Sequence, residues 1–138
     1  MKTLLKLSLA AAAVITAFGA QAQEFPSKDK TVTLVVPYAA GGPTDRVARD
    51  LAEALRKPLG VSVVVDNAAG AGSTIGTAKA ARATPDGYTL LLNHISMSTM
   101  PTMYRKLAFN VVNDFEYLGM INDVPMTLIA KPSMAANN

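Results

Sequence analysis

The chain has 138 residues, carries a net charge of +3, is half hydrophobic and contains no cysteine. That length fits one domain, held by core packing rather than disulfides. Two of the three excess charges are Lys2 and Lys6, so the remainder has no basic cluster for nucleic acid or an acidic membrane surface.

Residues 1–22 read as an export signal. Lys2 and Lys6 give a positive start, Leu7 to Ala20 is apolar and small, and Ala20-Gln21-Ala22 is a small-x-small cleavage site. The apolar stretch is short for a span, and polar sequence follows at once. Cleavage between Ala22 and Gln23 is expected, with no stable membrane insertion afterwards and a periplasmic destination.

A polar lead-in, Gln23 to Lys30, precedes Val32–Val36, an apolar run that predicts a buried strand ended by Pro37. Ala39, Ala40, Gly41 and Gly42 form a loop of small residues, and Pro43 suits a first helical position. Val47, Leu51 and Leu55, with Ala48 and Ala52 beside them, predict a helix from about Pro43 to Lys57, stopped by Pro58 and Gly60. Asp45 falls in its first turn, where a carboxylate favours the helix dipole; it would repel an anionic ligand, so with Pro43 it reads as a helix-start residue. A helix start after glycines is a general site for a carboxylate or phosphate.

Val61–Val65 predicts a second strand, Asp66 to Ser73 a second loop, and Ser73 or Thr74 the cap of a helix through Ile75, Ala78 and Ala81. Thr84-Pro85-Asp86-Gly87 is a turn, and Tyr88–Leu92 a third strand. A polar loop, Asn93 to Thr99, a helical piece over Met100–Arg105, and strands at Tyr117–Ile121 and Pro125–Lys131 complete the expectation. Met97, Met100 and Met103 read as packing. Strands alternating with helices imply a parallel sheet with helices on both faces and ligands outside the carboxyl ends of the strands. Three small or hydroxylated loops leave those ends: Tyr38–Thr44, Asn67–Ser73 and Asn93–Thr99.

Enzyme chemistry finds little support. Gly70-x-Gly72-x-x-x-Gly76 is one residue too long for a dinucleotide fingerprint, and the expected acidic residue is missing from Tyr88–Leu92. Ala39–Thr44 lacks the ending of a P-loop, no Gly-x-Ser-x-Gly occurs, and there is one histidine. No catalytic residue, cofactor or metal is expected. His94 could donate to an anionic ligand, and Ser96 and Ser98 could donate hydroxyls.

The ordered segments FPSKDKTVTLVVPYAAGGPTD, VVVDNAAGAGSTIG and ATPDGYTLLL, behind a signal peptide, closely resemble the substrate-binding proteins of tripartite tricarboxylate transporters, the Bug-type receptors. The resemblance implies an α/β, periplasmic-binding-protein-like (type II) lobe with a mostly parallel sheet flanked by helices, and a non-enzymatic role. It implies capture of a small carboxylate (a di- or tricarboxylate, amino acid or aromatic acid) for membrane permease subunits. Carried over by position, the ligand-binding residues are Tyr38, Ala39, Ala40, Gly41, Gly42, Thr44, Asn93, His94, Ser96 and Ser98. The departures are Asn67-Ala68-Ala69-Gly70 and Leu107-Ala108-Phe109-Asn110, which put ligand identity in doubt, and length. The chain reads as a signal peptide (1–22), one lobe (23–124) and the start of a crossover (125–138), with the second lobe missing. The alternatives are a solute-sensing adaptor for a membrane kinase and a secreted α/β hydrolase using Ala39–Thr44 as an anion hole.

Overall fold

The computed structural model describes residues 25–125, 127 and 129–133; the expected leader and its Ala22–Gln23 junction lie outside them. The elements in order are β1 (Val32–Val36), α1 (Pro43–Leu59), β2 (Val63–Asn67), a 3-10 turn (Ala71–Ser73), α2 (Thr74–Ala81), β3 (Thr89–Leu91) and α3 (Ser96–Met103). The sheet has the order β2-β1-β3 and is parallel throughout, Val32 pairing with Val63 and Thr33 with Thr89.

β1 is central, and its alternation explains its composition. Val32, Leu34 and Val36 face α1, packing with Ala48, Ala52 and the half-buried Leu51 and Leu55. Thr33 and Val35 point the other way, where α2 lies over β1 and β3. With both faces covered, VTLVV can be apolar almost without interruption. The α1 stripe brings two alanines deepest, which lets the helix lie close on the sheet. Beyond α2, Ala78, Met100 and Phe109 form a smaller core with α3 and the segment after it.

Several boundaries differ from the sequence expectation. Helix α1 runs to Leu59, so Pro58 sits in its last turn and does not end it. The stop is Gly60, left-handed at φ +66°, its N–H donating to Arg56 O at 2.9 Å. Strand β2 lies two residues later than expected, because its bounds follow the pairing of Val32–Val36 with Val63–Asn67. Strand β3 keeps only Thr89–Leu91 of the expected five residues.

Helix α3 begins at Ser96, inside the expected polar loop, and ends at Met103 rather than Arg105. The Ser98 and Thr99 hydroxyls donate to the carbonyls of Ile95 and Ser96, closing the first turn that an apolar periodicity would otherwise have announced. Tyr117–Ile121 forms no strand. Tyr117, Leu118 and Met120 are 64%, 80% and 82% exposed, and no described strand lies beside them to supply a ladder. The described residues of the expected Pro125–Lys131 strand are likewise without ladder pairing; Met126 and Leu128 lie outside the described residues.

Candidate functional site at the sheet's switch point

In the order β2-β1-β3 the chain leaves β1 on one side through α1 and returns on the other through α2. The direction reverses between β1 and β3, so a crevice opens outside their carboxyl ends. The loops after β1, β2 and β3 lead into α1, α2 and α3, which brings three helix starts to the same end of the sheet. Each start carries unpaired N–H groups and partial positive charge.

The β1 loop turns through Gly41 at φ +83°, a left-handed conformation that only glycine adopts cheaply. Gly42 is different: at φ −76°, ψ 173° it is ordinary extended backbone, and it is the residue before Pro43. The next two backbone N–H groups, of Thr44 and Asp45, have no acceptor among the described residues. Ala39 and Ala40 are exposed along the same loop.

Asp45 does more than favour the helix start. Its carboxylate is buried, 3% exposed, and accepts Gly41 N–H at 2.8 Å, Arg49 Nε at 2.9 Å and Asn67 Nδ2 at 2.9 Å. Asn67 also donates to Tyr38 O at 3.2 Å, so one carboxylate ties the β1 and β2 loops together. The hydrogen bond from Arg49 above all, then those from Gly41 and Asn67, lowers the Asp45 pKa to about 2. An unfolded aspartate titrates near 3.9. A depressed folded pKa contributes stability above about pH 4 that is lost as pH falls toward 2. The urea midpoint should therefore fall between pH 4 and pH 2 more steeply for the native chain than for Asp45→Asn. Parallel curves would show that this carboxylate is not linked to folding.

The β3 loop contributes a cluster built on the Asn93 amide. Asn93 Oδ1 lies 2.7 Å from Tyr38 Oη, 2.7 Å from Ser96 Oγ and 2.8 Å from His94 N. Asn93 Nδ2 donates to Thr77 Oγ1 at 3.0 Å, and Thr77 donates to Ser73 O at 2.8 Å. Ser73 Oγ reaches Ser96 Oγ at 3.1 Å. The Tyr38 and His94 rings stack, centroids 4.3 Å apart at 12°. Although His94 is exposed overall, desolvation holds its pKa below the ordinary value, which favours the neutral ring.

The fold thus places Tyr38, Asn93, His94 and Ser96 in one hydrogen-bonded group, with Gly41, Gly42 and Thr44 at the start of α1. Ser98 stands apart, its hydroxyl turned onto Ile95 O. Sequence reasoning missed Thr77, wholly buried, and underrated Asn67 and Ser73. Thr77 carried one signal: a hydroxyl among the small residues Gly76 and Ala78 on a helix face that is otherwise apolar. Among the described residues no group of three His, Cys, Asp or Glu could hold a metal ion. A separate groove of about 290 Å³, lined by Ile75, Arg82, Tyr104 and Lys106 among others, includes none of the expected ligand residues.

A parallel α/β lobe with polar loops at its switch point defines a binding lobe of the periplasmic-binding-protein class. The profile of the TctC family, "Tripartite tricarboxylate transporter family receptor", matches residues 47–138, and the chain belongs to that family. It is a family of receptors, not of enzymes. A curated relative from Agrobacterium vitis, a UPF0065 protein of the TAR-I ttuE-ttuC' intergenic region, is 46% identical over 88% of this chain and 35% of its own length. The structure of the periplasmic binding protein BugD superposes with a TM-score of 0.63 at 52% identity, over 65% of this chain and 30% of BugD. MatC from Rhodopseudomonas palustris, solved with bound malate, gives 0.62 at 41% identity, over 66% of this chain and 31% of MatC. The chain therefore spans about a third of the length of the proteins it resembles.

Proposed function

We propose that the chain is a solute receptor whose β1/β3 crevice grips a carboxyl group of a small carboxylic acid. The observation that carries this reading is the pair of N–H groups on Thr44 and Asp45 that find no acceptor among the described residues, at the same end of the sheet as the stacked Tyr38 and His94. The malate bound to MatC supports the ligand class. Residues 23–124 form one lobe, and residues 125–138 lead toward a second. The receptor is exported to the periplasm, its leader cleaved after Ala22, and delivers its solute to the permease subunits of a tripartite transporter.

One wall of a cleft leaves its donors competing with bulk water, so the chain by itself should bind malate only at about millimolar strength, roughly −4 kcal/mol. Amide shifts in an NMR titration read binding in that range. Thr44 and Asp45 N–H should shift on adding malate. Gly42→Val should weaken the response at least about tenfold, by placing bulk at the helix start. Valine suits the Gly42 backbone, and its Cβ meets only Ala39 O, at 3.4 Å, so the variant keeps its fold. An equal response from Gly42→Val would reduce this loop to a turn.

A further inference from the structure

Two of the hydroxyls expected to meet ligand, those of Tyr38 and Ser96, are directed inward. Tyr38 Oη and Ser96 Oγ lie 2.6 Å from each other and 2.7 Å from Asn93 Oδ1. Whichever proton bridges the two oxygens, both stay inside the cluster. The Ser73 proton joins them through Ser96. The amide cannot flip without breaking the arrangement, because Thr77 donates to Ser73 O and so can only accept from Asn93 Nδ2. Oδ1 must face Tyr38, Ser96 and the His94 N–H.

The same geometry assigns the histidine tautomer. Ser96 N–H donates to His94 Nδ1 at 3.4 Å, and Tyr38 Oη lies 3.4 Å from the same atom. A nitrogen that accepts a backbone N–H is unprotonated in the neutral ring, so the proton sits on Nε2. Nε2 has no partner among the described residues, and His94 is exposed. Among the described residues it is a side-chain donor without a partner in the loop that leaves β3. Stacking on Tyr38 fixes the ring plane.

We propose that Asn93 is a positioning residue, and that the cluster it gathers presents His94 Nε2–H as the specificity-determining donor to an acid group in the crevice. This rests on the carboxylate reading above. It moves Tyr38 and Ser96 from contacting the ligand to holding the residue that does. A donor that is neutral and single suits one oxygen of a carboxylate, complementing the Thr44 and Asp45 N–H groups at the same end of the sheet.

The test is NMR of the full chain with 15N-labelled histidine, with malate as probe and the variants Asn93→Ala, His94→Gln and His94→Asn. In the native chain at neutral pH, the one histidine should show an unprotonated Nδ1 and a protonated Nε2. The opposite tautomer, or an even mixture, overturns the proposal before any variant is made. Asn93→Ala should move His94 toward a mixture of tautomers and weaken the malate response. Glutamine places an N–H where Nε2 stood and asparagine does not reach it. His94→Gln should therefore bind malate within about threefold of the native chain, and His94→Asn about tenfold more weakly, the loss of one charge-assisted hydrogen bond. Equal binding by both variants overturns the donor role. So does a malate shift at Thr44 and Asp45 with none at His94. No shift at any of these groups overturns the carboxylate reading itself, and the donor role with it, while the tautomer still decides what Asn93 does.

Discussion

Gly76→Val should lower the thermal midpoint of the chain by roughly 5–20 °C, a cost of about 1–3 kcal/mol for overpacking a filled space. A Cβ at Gly76 would lie 2.6 Å from Ala68 O and 2.8 Å from both Cα and Cβ of Pro37. These are backbone and ring atoms on the turns that leave β2 and β1, so no flexible side chain can swing aside. Helix α2 would have to lift from the end of β1. Thr77 is the next residue, and the lift would carry its hydroxyl away from Asn93. The variant should thus lose malate response as well as stability. Circular dichroism melts check the first effect; an unchanged midpoint would mean that α2 does not sit as closely on β1 as described.

Leu34→Ala should be costlier, about 2–5 kcal/mol, the usual range for emptying a packed leucine site. Leu34 is 2% exposed at the middle of β1, paired with Val65 on one side and Leu90 on the other, beneath Ala48 of α1. With strands fixed on both flanks, the walls cannot collapse into the space. Domains of this kind have about 5–15 kcal/mol in total, so the loss is a large fraction. Val64→Ala, at a 44% exposed position on β2, is the control and should cost far less. Similar urea midpoints for the two variants would contradict a core centred on β1.

What could be read from the amino acids was whatever depends on neighbours along the chain. VTLVV could only be a strand covered on both faces, and the apolar stripe of α1 needs no partner to be recognised. The ends were less legible. Pro58 looks like a stop, yet the helix carries it in its last turn at the loss of one backbone hydrogen bond, and the left-handed Gly60 decides. The start of β2 depends on where Val32 pairs, and composition does not encode register. Tyr117–Ile121 has a strand's composition without a strand's partner. The three loops at the switch point were legible from topology. The direction of each hydroxyl was not, because Thr77, one helix away, orients the Asn93 amide and through it Tyr38 and Ser96.

The middle strand of the sheet is also the first to be made. Neither of its ladders can close locally: one neighbour arrives only after α1, the other only after α2. Contacts so distant in sequence must overcome loop closure before they return any stability, and they form slowly. Until Leu91 has been synthesised, one edge of β1 has no mate, and its apolar residues stay accessible to whatever binds unfolded chains. A nascent chain of this order is in no hurry to fold. On the export route proposed above, that delay would be an asset, since the polypeptide would be threaded across a membrane before it becomes compact.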